Sequence, residues 1–257
     1  WEPQTSRLLV TLAERAHTVV VGGAYAGDQA IPMAQVLSKR GGRVHCFELN
    51  AVQLAALQAN AKRNGLDNVT VNAVGLWDRS GHVELVGHDS HAFPKFVETA
   101  STNSFPVVAV DAYAKTAGIE QVDLIMLDIE GGEESALRGA IGFLDQPAGR
   151  APDLVFEIHR AYVDWSLGLA ATPVVRMLTD RGYAVYALRD YQATVDMTGR
   201  PLEMITLDTT YLEGPPHGFN LFATKRRGLL DELGVKLREG LSPKLLRHRM
   251  SPLHQPG

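Results

Sequence analysis

Disulfides are excluded within this chain of 257 residues, because it holds a single cysteine, Cys46. That lack suits a reducing compartment and sets a cytoplasmic location as the expectation. Cys46 lies in an apolar, strand-like run and reads as core. A basic excess is lacking as well: the formal net charge is −4 and charged residues make up 21%. Neither a nucleic-acid partner nor an anionic membrane surface is therefore expected. Long hydrophobic runs are missing too. The longest are strand-sized, so no transmembrane helix and no signal peptide is predicted. Internal repeats and low-complexity segments are absent. The chain opens on Trp1 rather than Met, which predicts a natural start further upstream. What is present is an apolar fraction of 45%, enough to bury a sizeable core in an α/β fold with insertions.

The order of apolar patterns alternates strand and helix. Pro3 to Ala16 predicts a helix with Leu8, Leu9 and Leu12 on one face. Thr18 to Val21 is a short β-branched run that stops at Gly22-Gly-Ala-Tyr-Ala-Gly27, the signature of a buried parallel strand. A helix over Ala30–Lys39, a strand over Arg43–Phe47, a helix over Ala51–Asn64 with Gly65 as its stop, and a strand over Val69–Val74 repeat this grammar. Gly81–Leu85 suggests a hairpin strand, and the polar stretch His88–Ser104 reads as a loop over the sheet. A strand at Pro106–Val110 and a helix at Asp111–Ala117 follow. Next come a strand over Val122–Leu127, a helix from Glu134 to Leu144, and a strand over Asp153–Phe156. A helix over Pro173–Arg181, a strand over Tyr183–Leu188 and a final strand over Asn220–Thr224 complete the pattern. Residues 225–257 are more basic and are expected to form a peripheral helix and a loose end. Right-handed crossovers between such units build a mostly parallel, doubly wound sheet with helices on both faces, and ligands then bind at the carboxyl ends of the strands.

Three of those ends carry suggestive residues. Gly23, Ala24, Tyr25 and Gly27 form a turn in which the backbone can approach a bulky ligand, or simply a tight turn. Glu48, followed by Leu49, stands at the second strand end, where a carboxylate can accept hydrogen bonds from both hydroxyls of a ribose. Gly75, Leu76 and Trp77 offer a small backbone position with apolar neighbours for a purine ring, although Trp77 reads equally well as core. Asp78 fits either an adenine contact or a turn. These positions point to an adenosyl cofactor without choosing among them. Gly22-x-Ala24-x-x-Gly27 misses the G-x-G-x-x-G of nicotinamide folds, while Gly23-x-x-x-Gly27 fits a looser turn.

The second half carries the candidate chemistry. Asp128-Ile-Glu-Gly-Gly-Glu133 follows an apolar strand. Acids placed this densely need a metal ion, a sulfonium or a proton to balance them. Glu133 and Glu134 also suit the positive end of a helix dipole, whereas Asp128 and Glu130, at the strand exit, suit it less. Alternation puts Glu157 and His159 on one side of the next strand, as a general base with its partner, as metal ligands, or as a structural pair. Asp128, Glu157 and His159 are thus the candidate catalytic residues and candidate ligands for Mg²⁺ or Mn²⁺. A metal-free route, with His159 taking a proton from a substrate hydroxyl, stands beside it. Glu130, His91 and Phe93 are the candidate substrate contacts, the last two from the 88–103 loop.

The runs Val122-Asp-Leu-Ile-Met-Leu-Asp-Ile-Glu-Gly-Gly-Glu-Glu-Ser-Ala-Leu-Arg-Gly-Ala140, Phe156-Glu-Ile-His159 and Asn220-Leu-Phe-Ala223, with the opening Trp1-Glu-Pro-Gln-Thr5, resemble the FkbM family of methyltransferases. The resemblance spans residues 1–225. It implies a Rossmann-like class I methyltransferase fold, S-adenosylmethionine as cofactor, and O-methylation of a hydroxyl on a natural product or sugar. It also implies that the opening segment, with Thr5, lies near the cofactor, so that residues 1–17 cover the site and 226–257 form a peripheral tail. One departure stands out: where the family has D-x-G-A-N-x-G, this chain has Val21 for the acid and Tyr25 for the Asn.

The expected partner is a small hydroxylated acceptor, and a homo-oligomer is left open. Two other readings compete: a nicotinamide-dependent oxidoreductase, which lacks an evident Tyr-x-x-x-Lys pair, and a catalytically degenerate binding module on the same fold.

Overall fold

The structure, a computed structural model, describes residues 2–86, 93–190, 195–212 and 218–257. Trp1 and His91 lie outside them, and only the backbone of Phe93 is described. The first half follows the predicted alternation: α1 (Pro3–Ala13), β1 (Thr18–Gly22), α2 (Ala30–Ser38), β2 (Arg43–Phe47), α3 (Ala51–Arg63) and β3 (Val69–Asn72). Asn50 starts α3 by accepting the backbone N–H groups of Val52 and Gln53, and Gly65, at φ +66°, ends it as anticipated.

The chain then leaves the main sheet. β4 (Gly75–Leu76), β5 (Gly81–Val86), β6 (Phe93–Val97) and β7 (Ser104–Val108) form a second sheet in the order β4-β7-β5-β6. This corrects two expectations. The strand predicted to Val74 stops at Asn72, and the stretch read as a loop contains β6. Pro94 disguises β6, yet Pro is tolerated there because β6 is an edge strand.

α4 (Val110–Ala117), β8 (Leu124–Leu127), α5 (Glu133–Arg138), α6 (Ile141–Leu144), β9 (Asp153–His159), α7 (Pro173–Thr179) and β10 (Ala184–Leu188) follow. The single helix expected over Glu134–Leu144 is broken into α5 and α6. A Cβ at Gly139 would collide with the Trp77 carbonyl, so the chain passes that backbone at close range, and Asp111 restarts the helix by accepting the Gly142 N–H at 2.8 Å.

β11 (Glu203–Thr206), β12 (Gly218–Thr224), α8 (Leu229–Glu232), β13 (Lys236–Arg238) and α9 (Ser251–His254) close the chain. β12 is not the last strand. The main sheet runs β13-β11-β10-β12-β9-β8-β1-β2-β3. β3, β2, β1, β8 and β9 are parallel neighbours, and β12 inserts antiparallel between β9 and β10. Strand alternation feeds two cores. Val19, Val21, Leu124 and Met126 pack with α1, α2 and α3, whereas Val20, Ile125, Leu127 and Phe156 pack with α4, α5 and α7. This is the doubly wound α/β fold expected.

The loose end expected after residue 225 is instead tied down. β13 pairs in parallel with β11, and the fully buried Arg189 donates to the carbonyls of Ser242, Leu253 and Gln255 while pairing with Glu203 at 2.7 Å. Cys46 is fully buried, as predicted, and burial pushes its thiol up to about 12. Among the described residues no helix is long and apolar enough to cross a membrane.

Candidate active site

The carboxyl ends of β1, β2 and β8 open into a cavity of about 660 Å³. The second sheet closes one wall with Gly75, Leu76, Val83, Pro94 and Val107. The detour of the chain after β3 therefore has a use: it adds a wall to the strand-end crevice.

The glycine turn has a steric cause. A Cβ at Gly23, whose φ is +72°, would collide with the Asp128 carbonyl, and the Asp128 N–H donates to Gly22 O at 3.0 Å. Gly23 thus lets the ends of β1 and β8 close on each other. Gly23 and Ala24 both donate to the carbonyl of Phe47 at the end of β2. Gly27 plays another part: its missing Cβ makes room for Leu57 and Ile31, and it does not line the cavity. Glu48 accepts the Tyr25 N–H at 2.9 Å on one oxygen and the Asn50 N–H at 2.8 Å on the other. Each carboxylate oxygen keeps a further lone pair for a ligand hydroxyl.

The Asp128–Glu133 loop divides its acids between two tasks. Glu133 is buried and turns inward, accepting Ile129 N–H and Gly131 N–H at 3.0 Å each. Burial, with Asp128 nearby, raises its carboxyl to about 7. Glu133 stands at the start of α5, where the helix-end reading put it, and its side chain caps the loop before that helix. Asp128 and Glu130 face the cavity. Asp128 is accessible from the cavity yet hemmed in by protein on its other sides, and burial, then Glu130, Asp28 and Glu48, lift it to about 6. Glu130 sits at φ +52°, and its side chain hydrogen-bonds Tyr162.

Glu157 and His159 do lie on one side of β9. A Cβ at Gly218 of the neighbouring strand would collide with the Glu157 carboxyl and crowd the His159 ring at 2.8 Å. Neither residue lines the cavity. His159 Nδ1 accepts the Ala161 N–H at 3.0 Å, and the ring lies beside Tyr162. Burial, then the charges of Asp128, Glu130, Glu133 and Glu2, push Glu157 up to about 9, so its carboxyl is neutral at pH 7. It still comes close to the cavity acids: oxygens of Asp128, Glu130 and Glu157 lie within 4.8 Å of one another.

Of the residues singled out in the sequence, the cavity brings together Gly23, Ala24, Tyr25, Glu48, Leu49, Gly75, Leu76, Trp77, Asp128 and Glu130. Thr5 lies behind it, fully buried, donating to Asp190 at 2.7 Å and accepting from Asn220. His91 is outside the described residues, as is the side chain of Phe93. The acids at Glu2 and Asp28 were missed by sequence reasoning, as were the apolar lining residues Ile129 and Met126. Glu2 stood in the quoted opening segment, but nothing local aims its side chain at strand ends far along the chain.

Two features set this cavity apart. Glu2, Asp28, Glu48, Asp128 and Glu130 line it, and no Lys, Arg or His does among the described residues. The non-glycine residues at positive φ among those described are Glu2 (46°), Tyr25 (45°) and Glu130 (52°), and all of them line it. Such backbone costs about 1–3 kcal/mol per residue and gathers where a site needs it.

A family model described as the methyltransferase FkbM domain matches residues 22–185. No curated protein matches the chain in sequence. Among solved structures, the FkbM methyltransferase of Methylobacillus flagellatus KT is 21% identical at a TM-score of 0.40, over 57% of this chain and 33% of that one. The chain thus spans about a third of that protein's length. An O-methyltransferase from Bacillus cereus, in complex with SAH, is 16% identical at a TM-score of 0.47, over 88% and 82% of the two chains. A putative O-methyltransferase from Klebsiella pneumoniae is 17% identical at a TM-score of 0.45, over 87% and 79%.

Proposed function

Because the chain belongs to the FkbM methyltransferase family, we propose that it moves the methyl group of S-adenosylmethionine to a hydroxyl of a small molecule. The observation that carries the cofactor assignment is the acid-lined cavity, which among the described residues has no basic side chain. It suits a ligand bearing a sulfonium and an ammonium, and it opposes a phosphate-bearing dinucleotide. Family membership likewise speaks against the nicotinamide reading.

The residues fit the cofactor part by part. Glu48, already fixed by two backbone N–H groups, is placed to accept ribose hydroxyls. Leu49, Gly75 and Leu76 supply an apolar slot of purine type. When bound, the cofactor supplies an activated methyl on sulfur. The chain's own task is then to align an acceptor oxygen with that methyl and to take the hydroxyl proton. Asp128, held at about 6, serves as the proton acceptor near neutral pH, and Glu130 with Tyr162 orients the acceptor. In this reading His159 supports the wall from behind, and it leaves the role of base to Asp128.

A second reading adds a divalent ion at Asp128, Glu130 and Glu157, whose clustered oxygens are hard donors of the kind Mg²⁺ takes. EDTA dialysis separates the routes: turnover lost and restored by Mn²⁺ supports the ion, and unchanged turnover removes it. The function itself is tested by incubating the protein with methyl-labelled S-adenosylmethionine and a panel of hydroxylated small molecules. Label on a product oxygen supports the proposal. Label only on nitrogen or carbon overturns O-methylation, and cofactor binding without any product favours a degenerate module.

A further inference from the structure

The side chain of Glu2, the residue just before α1, is out of place for a helix cap. An N-cap residue ordinarily turns its own side chain back onto the N–H groups of the first turn. Here Glu2 makes no such bond. Asp190 does the work from the far side of the chain, accepting Gln4 N–H at 3.1 Å and Thr5 N–H at 2.7 Å. Glu2 is thereby released, at φ 46°, to place its carboxyl in the cavity. Asn220 steadies it, donating to Oε2 at 3.1 Å and, from the same nitrogen, to Thr5. Among the described residues no other group donates to that carboxyl and no Lys or Arg pairs with it.

Its surroundings locate what it meets. The acids nearest to it in charge effect include Asp128 and Asp28, which flank the glycine turn. α1 packs on the side of the sheet that Val21 faces. β1 ends in Val21-Gly22, Gly23 follows, and so it brings no carboxylate of its own. With the ribose end of the cofactor at Glu48, just after β2, the amino-acid end extends toward β1 and β8, where Glu2 waits. Burial and the neighbouring acids hold Glu2 up at about 7 in the free protein, so a cation there relieves a group that lacks one.

On the reading under Proposed function, we infer that Glu2 is the recognition residue for the α-ammonium of the cofactor's methionine end, supplied from outside the glycine turn and held in place by Asn220 and the Asp190 cap. The test is calorimetry on the full chain with two ligands, S-adenosylhomocysteine and its analogue lacking the amino group. The E2Q variant is expected to weaken S-adenosylhomocysteine by about 10- to 100-fold, while the deaminated analogue binds both proteins alike. That unchanged analogue also shows the variant is folded. Equal loss for both ligands, or no loss for either, overturns the assignment of Glu2 while leaving the cofactor reading intact. Failure of the unaltered protein to bind S-adenosylhomocysteine overturns the cofactor reading itself, and this assignment with it.

Discussion

At the scale of single residues, the cavity acids are poised by one another and by burial. Glu2 is held at about 7 and Asp128 at about 6 in the free protein. Their neutral forms are the ones the fold tolerates. The stability this contributes is complete below the ordinary carboxylate range and is lost as pH rises through 6 to 7. A cationic ligand reverses that preference. S-adenosylmethionine is therefore expected to bind more tightly, by about tenfold, at about pH 8 than at about pH 5.5. Calorimetry across that window checks it, and an affinity that falls with pH contradicts it. Glu133 makes the opposite case, an acid whose work is internal. Glu133→Ala leaves the Ile129 and Gly131 N–H groups without their acceptor. It should lower stability by about 1–3 kcal/mol in a denaturant melt. The sequence already separated these acids by position, because Glu133 stands beside a helix start and Asp128 at a strand exit. It could not reveal Glu2, whose direction is set by Asp190 and Asn220, 188 and 218 residues further along.

At the scale of elements, the site exists because two strand ends can touch. Gly23→Ala puts a methyl group into the Asp128 carbonyl at a backbone φ that suits glycine. The expected result is loss of S-adenosylhomocysteine binding together with about 1–3 kcal/mol of stability. Wild-type affinity in that variant would show that the close approach is dispensable. Strands β1, β2 and β8 were legible because each is a short apolar run stopped by glycine or an acid, and burial on both faces leaves such runs no other use. β6, β11 and β13 were not. β6 carries a proline, β11 includes a buried Glu203 whose partner Arg189 belongs to the segment after β10, and β13 is mostly exposed and held by its neighbour. Their pairing is decided by tertiary contacts that local pattern does not encode.

At the scale of the molecule, the C-terminal segment is part of the structure that supports the site. Arg189 joins Glu203 to three carbonyls of that segment, and the next residue, Asp190, caps α1 and so sets Glu2. Arg189→Ala leaves Glu203 without its fully buried partner, and a loss of about 3–5 kcal/mol is expected in denaturant unfolding. A change near zero would show that the buried pair does not hold the segment.

The central claim is that the acid-lined cavity at the strand ends receives an adenosyl sulfonium cofactor. Titration of the full chain with S-adenosylhomocysteine in a calorimeter addresses it most directly. The account expects saturable binding at one site per chain, competed by S-adenosylmethionine and not by NADH. Folded protein that shows no heat of binding up to millimolar ligand would contradict it.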